Sequence, residues 1–166
     1  MIRVRLNTVR EKQGLEPIEN RVRGFEPVNL MEMDVKLPTR GSKHSAGYDI
    51  YVNEDYTIEP KQSVLIRTGI KAYMPFDEYL DLRVRSSLGI KRQLMLATGA
   101  SVIDSDYYNN DDNEGEIMVV LYNYGDTTQT ISAGEHIVQG IFTKYHLADN
   151  DCTTAKRTGG TGSTNK

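Results

Sequence analysis

Alternation of apolar and polar side chains with a period of two sets the first limit on what this chain can fold into. Leu80, Leu82 and Val84 alternate with Asp81, Arg83 and Arg85, the pattern of a strand with one buried face. Val64 and Ile66 repeat it ahead of Thr68-Gly69, which reads as a turn-like break. Ile117–Tyr122 is apolar on both faces, as for a strand enclosed between two layers, and the cluster Asn123–Asp126 ends it. Ile137, Gln139 and Ile141 resume the alternation after Ala133-Gly134. No window carries a long amphipathic helix. The best helical segment, Leu88–Leu96, spans only about two to three turns. Residues 24–146 are therefore expected to form one all-β domain, a barrel or jelly-roll with a single short helix.

The flanks differ in character. Residues 1–23 form a charged N-terminal extension in which Ile2, Val4 and Leu6 alternate briefly, as in a short edge strand. Residues 147–166 hold almost no apolar side chains and finish in RTGGTGSTNK, so they read as an arm that stays mobile until something binds it. The whole is 166 residues and 38% hydrophobic, enough for a packed core. Twenty Lys and Arg against 23 Asp and Glu give a net charge of −3, which argues against stable nucleic-acid binding. No apolar run approaches the ~20 residues of a membrane span. The opening MIRVRLNTVREKQ has no apolar centre like that of a secretion signal, so the expectation is a cytoplasmic protein with no membrane partner. Cys152 is alone in a polar segment and reads as an incidental thiol.

Three places carry chemistry. Arg85-Ser86-Ser87-Leu88-Gly89 stands where a strand yields to the short helix. A Ser N-cap, free N–H groups and a guanidinium would make a polyphosphate seat, while a plain cap beside a surface Arg is the blander reading. Asp49 lies in Ala46–Tyr51 (AGYDIY) and Asp104 in Ser101–Tyr107 (SVIDSDY), each a carboxylate within an apolar run. Each either faces a ligand, metal or cation, or makes an ordinary turn or sheet-edge hydrogen bond; the residues alone leave both open. The acidic cluster Asp106, Asp111, Asp112, Glu114 and Glu116 lacks the ligand spacing of a calcium loop. Tyr108–Gly115 reads instead as an enlarged polar hairpin loop. His44, His136 and His146 are scattered and show no metal-ligand spacing.

Taken in order, these segments resemble the trimeric deoxyuridine triphosphatase (dUTPase) family, of the Gram-positive bacterial or phage type. Its five motifs resemble AGYDIY at 46–51, RSSLG at 85–89, GASVIDSDY at 99–107, GEHIVQ at 134–139 and RTGGTGST at 157–164. The resemblance runs from about Arg23 to the last residue. It implies a distorted jelly-roll, a homotrimer with active sites at subunit boundaries, and hydrolysis of dUTP to dUMP and pyrophosphate. That reaction limits uracil in DNA and supplies dUMP for dTMP synthesis. The cofactor implied is Mg²⁺, held by the triphosphate and by waters near Asp49 rather than by direct protein ligands. In these terms Asp104 is the general base for water attacking the α-phosphorus, and Asp49 orients a metal-bound water or the base region. Arg85, Ser86 and Gln139 hold phosphate oxygens, with Ser87 offering its backbone N–H. Tyr107 packs on the deoxyribose, and the hairpin of Ala100, Val102 and Ile103 reads uracil. Arg157, Ser163 and Thr164 clasp the γ-phosphate as the arm closes.

The chain also departs from that pattern. Thr161 stands where the family usually has a Phe that stacks on uracil, and Ser87 and Ser101 replace glycines. His136 stands where Lys or Arg is common. Asn109–Glu114 looks like an insertion before the strand that begins at Gly115, and offers a surface for a protein partner. A nucleotide-sensing regulatory protein that binds such a partner is therefore the alternative to an enzyme. A dCTP deaminase, which shares an RSSLG-like segment, is the weaker alternative. Ile90 replaces the Arg that would follow that segment, and Val120 replaces the catalytic Glu three residues before Asn123.

Overall fold

The computed structural model describes residues 21–29, 34–157 and Gly159; the short strand expected at Ile2–Leu6, and Thr161, Ser163 and Thr164, lie outside them. Among the described residues the strands are β1 (Gly24–Pro27), β2 (Thr39–Arg40), β3 (Tyr48–Tyr51), β4 (Tyr56–Ile58), β5 (Ser63–Tyr73) and β6 (Glu78–Val84), then β7 (Leu94–Leu96), β8 (Ser101–Asp104), β9 (Glu116–Asn123), β10 (Gln129–Ile131) and β11 (His136–Lys144). One helix, α1 (Ser86–Arg92), and a 3₁₀ turn (Ser105–Tyr107) interrupt them. Two antiparallel sheets result, ordered β1-β5-β9-β7 and β2-β3-β11-β6-β8, with β4 and β10 as a separate ribbon. Ile66, Ile117, Val119 and Leu121 from the first sheet meet Ile50, Leu80, Leu82 and Val138 from the second in a fully buried core. Among the described residues this is the all-β architecture with one short helix that the alternation implies, and it fits the distorted jelly-roll that the family resemblance implies. No helix among the described residues is long and apolar enough to cross a membrane.

Several local expectations are corrected. The helix is Ser86–Arg92, not Leu88–Leu96. Gln93, at φ 54, ends it with its N–H on the Leu88 carbonyl, and Leu94 and Leu96 then point inward with Met95 outward, which is strand period. Its N-cap is Arg85 in extended backbone, with no side-chain cap hydrogen bond, rather than a serine. Thr68-Gly69 is not a break: β5 continues through it by a register shift between Arg67 and Lys71, with Gly69 at φ +69. Strand β9 buries Ile117, Val119 and Leu121 but leaves Met118, Val120 and Tyr122 half-buried, so only one of its faces is core within the chain. In β11 a shift between His136 and Val138 puts Ile137 and Val138 both inside, and turns Gln139 opposite Asp49 on β3.

Charges enter the interior as an ordered row. Lys71 pairs in register with Glu26 on β1 and Glu116 on β9, and all three are fully buried. Each carboxylate has its own cation. Arg67 donates to Glu116 at 2.9 and 2.5 Å, and Arg21 pairs with Glu26. Tyr108 donates its hydroxyl to Glu26 at 2.5 Å, and burial followed by that carboxylate pushes its phenol pKa up.

At the sheet edge Arg23 forks onto Glu78, at 2.8 and 2.7 Å, and this hydrogen bonding holds the Glu78 carboxyl below its ordinary value of 4.5. A carboxyl depressed in the folded state stabilises above its unfolded value, and that contribution disappears as pH falls through the folded one. Glu78→Gln is therefore expected to flatten the loss of thermal midpoint between about pH 5 and pH 3 relative to the unsubstituted chain. Equal slopes for the two proteins would show that the fork adds nothing to acid stability.

Candidate functional site

The candidate residues divide between two clefts along the five-stranded sheet. In the first, of 160 Å³, the end of β6, the middle of β3 and the bulged part of β11 bring Arg85, Ser86, Asp49 and Gln139 together. Arg85 forms an ion pair with Asp49 at 2.6 Å, so the carboxylate does face a cation. Gly41, Ser45 and Gly47 complete the wall. A Cβ at Gly47 would collide with the Gln139 side chain, so glycine is what lets that amide approach β3. Ser87, next along the helix, is exposed and outside this lining. The result is a small polar concavity with a guanidinium, an amide and a hydroxyl facing one space, a donor set suited to phosphate oxygens.

The second cleft, of 570 Å³, lies along β8 and the 3₁₀ turn. Ala100, Val102, Ile103, Asp104, Tyr107 and Arg157 border it. Leu65, Met118 and Val120 form an apolar wall. Strand β8 lies at the edge of its sheet, and this edge position leaves Asp104 and Val102 exposed. The apolar neighbours of Asp104 therefore do not bury it within the chain. What it faces is Arg157, which donates to Asp104 Oδ2 at 2.5 Å and to Asp106 Oδ1 at 2.8 Å, with its guanidinium 5.7 Å from the Tyr107 ring centre. Tyr107 is buried to 7% exposure and donates its hydroxyl to the Glu116 carbonyl at 3.1 Å.

The two clefts do not meet in one chain. Gln139 pairs with Asp49 and with Arg83, and Tyr79 pairs with Asp104. Asp49 and Asp104 are thus three strand spacings and four residues apart in one sheet, about 20 Å at ordinary strand dimensions. Sequence reasoning named Asp49, Arg85, Ser86 and Gln139 in the first cleft and Ala100, Val102, Ile103, Asp104, Tyr107 and Arg157 in the second as candidates, but did not include Asp106, the second partner of Arg157, or the apolar wall on β5 and β9. Asp106 carried a signal in its i,i+2 spacing from Asp104. The wall carried none, because Met118 and Val120 read as core.

Known proteins share this sequence and fold. Residues 33–165 match the dUTPase family model. The chain is 44% identical over 147 residues to the deoxyuridine 5'-triphosphate nucleotidohydrolase of Lactococcus lactis, covering 87% of this chain and 98% of that one. It is 36% identical over 163 residues to the protein of that name from Debaryomyces hansenii, covering 94% of each. The crystal structure of dUTPase from Streptococcus mutans superposes with a TM-score of 0.71 at 44% identity, over 76% of this chain and 98% of that one. With most of its length matched by the family model and by full-length relatives, this chain belongs to the dUTPase family.

Proposed function

We propose that the protein is a dUTP diphosphatase, converting dUTP and water to dUMP and pyrophosphate at sites completed between chains. The observation that carries this is the division of the motif residues: Asp49, Arg85, Ser86 and Gln139 face one polar cleft, and Ala100–Tyr107 with Arg157 borders the other. Each cleft holds half of what the reaction needs. A separation of about 20 Å within one sheet is too great for both halves of a single chain to grip one nucleotide. A second copy brings the phosphate cleft of one chain to the nucleoside cleft of the next. The exposed apolar side chains Leu65, Met95 and Val102 give such an assembly a surface to bury. A homotrimer is the closed form that the family resemblance implies.

In this reading Arg85, Ser86 and Gln139 bind phosphate oxygens, and Asp49 holds the Arg85 guanidinium in line. Tyr107 sets its ring against the deoxyribose, and the hairpin of Ala100, Val102 and Ile103 takes the uracil. Asp104 accepts the proton of the water whose oxygen bonds to the α-phosphorus, while the bond from that phosphorus to the bridging oxygen breaks and pyrophosphate leaves. Arg157 pairs with Asp104, and phosphate oxygens compete for the same bidentate donor. Transfer of the guanidinium to the γ-phosphate would leave Asp104 free to take the proton. Ser163 and Thr164 would join Arg157 there.

The donor set suits a Mg²⁺ ion carried in on the triphosphate. Among the described residues no three carboxylates, imidazoles or thiols converge to cage a metal. Asp49 stands beside the phosphate cleft, where it would accept hydrogen bonds from the ion's waters. When bound, the ion neutralises charge on the phosphate oxygens.

Purified protein with Mg²⁺ is expected to release pyrophosphate from dUTP and much less from UTP, dTTP or dCTP. Intact dUTP would overturn the reading, and ammonia from dCTP would move it to deamination. Against deamination, Val120 presents an apolar side chain to the cleft where that chemistry needs a Glu.

A further inference from the structure

The segment Asn109–Glu114 has a role that neither its polarity nor its place in the loop announces. It folds back under the nucleoside cleft as a closed loop. Asn109 N–H donates to the Glu114 carbonyl and Glu114 N–H to the Asn110 carbonyl, each at 3.0 Å. Both ends fasten to one buried cation: Lys71 Nζ donates to Asn109 Oδ1 at 2.6 Å and to Glu114 Oε2 at 3.0 Å. Gly115, at φ +80, brings the chain so close beneath Tyr107 that a Cβ would strike the Tyr107 carbonyl.

Inside this loop one amide points at the Tyr107 ring. Asn113 Nδ2 donates to the Tyr107 hydroxyl at 2.7 Å, which in turn donates to the Glu116 carbonyl. The orientation of that amide is fixed from its other side. Asn113 Oδ1 accepts from Asn110 Nδ2 at 2.8 Å and from Gly115 N–H at 3.1 Å, so the nitrogen is the end left for the phenol. Asn110 also donates to the Tyr107 carbonyl at 2.8 Å. The hydroxyl and the backbone of Tyr107 are thus both held by the same six-residue segment.

We propose that Asn113 is a positioning residue for sugar selection, acting through Tyr107 to keep the ring where it excludes a 2'-hydroxyl. This rests on the reading that Tyr107 packs against the deoxyribose. Steric exclusion works only if the excluding group does not yield, and a ring anchored at its distal oxygen cannot swing aside to admit the larger sugar. The segment therefore belongs to the substrate site through its inner face, whatever its outer face meets.

The test compares kcat/KM for dUTP and UTP in the full-length protein with Mg²⁺. Asn113→Ala is expected to lower the dUTP/UTP ratio at least about tenfold, mostly by raising activity on UTP. Asn113→Asp keeps an oxygen within reach of the phenol O–H and should restore most of the ratio. Tyr107→Phe removes the hydroxyl itself, and with it both the Asn113 and the Glu116 contacts, so the ratio should fall at least as far as in Asn113→Ala. If Asn113→Ala does not fold, Asn113→Ser, whose shorter side chain cannot reach the phenol, takes its place. A folded Asn113→Ala with the original ratio overturns the proposal, provided that Tyr107→Ala has lost it. If Tyr107→Ala itself keeps the ratio, the packing of Tyr107 on the sugar is wrong and the proposal falls with it.

Discussion

Asp104→Asn is expected to slow pyrophosphate release from dUTP by about a thousandfold while leaving nucleotide affinity within a few-fold of the original. The two side chains have the same shape, and the amide oxygen can still accept from Arg157, which now reaches Asp104 at 2.5 Å and Asp106 at 2.8 Å. What asparagine cannot do is take the proton of the attacking water. A loss confined to kcat, with dUTP binding retained in an equilibrium titration, identifies a group acting in the chemical step. A loss of binding instead would make Asp104 a ligand contact. Turnover near the original rate would put the base elsewhere. The Arg157 pair makes the comparison sharper. If that guanidinium must leave Asp104 before reaction, the variant, which holds it with a neutral amide, should bind the triphosphate at least as well as the original.

The elements with strong alternation were legible because a half-buried strand leaves its period in the sequence. Leu80, Leu82 and Val84 fall on β6 with Leu80 and Leu82 fully buried, as read. What failed were places where tertiary structure overrides that period. The bulge at His136/Val138 inverts the faces of β11, and so aims Gln139 at Asp49, yet nothing local marks the extra residue. Gln93 ends the helix in a left-handed conformation that glycine or asparagine would have signalled. Motif residues could be named one by one from the sequence, but their separation into two clefts could not. It follows from the order β3-β11-β6-β8, which is a pairing of distant segments. Glu26, Lys71 and Glu116 are the clearest miss. Charged side chains read as solvent-facing, and only the register of three strands shows that these stand side by side in the interior, each with a partner from outside the row.

That row supports the second large effect. Lys71→Met keeps the length and volume of the side chain and removes its charge and all its donors. Urea unfolding is expected to show a loss of about 3 kcal/mol, because one partner of a buried ion pair is left without the other. The loss does not fall evenly along the row. Glu26 keeps Arg21 and Tyr108, and Glu116 keeps Arg67 and the Gly69 N–H at 3.0 Å. Asn109 and Glu114 lose the cation that ties them together, although Glu114 still accepts from the Asn29 backbone at 3.0 Å. A second change, Glu114→Gln, made in the Lys71→Met background should therefore recover part of the stability, since a neutral amide is less costly there than a carboxylate that has lost its ammonium. The same change made alone should destabilise. If Lys71→Met unfolds at the original midpoint, the buried ammonium is matched by its own desolvation and the loop is held by its internal hydrogen bonds instead. If stability falls as expected, the ammonium is what anchors the loop bearing Asn113, and the dUTP/UTP ratio should fall in the same variant.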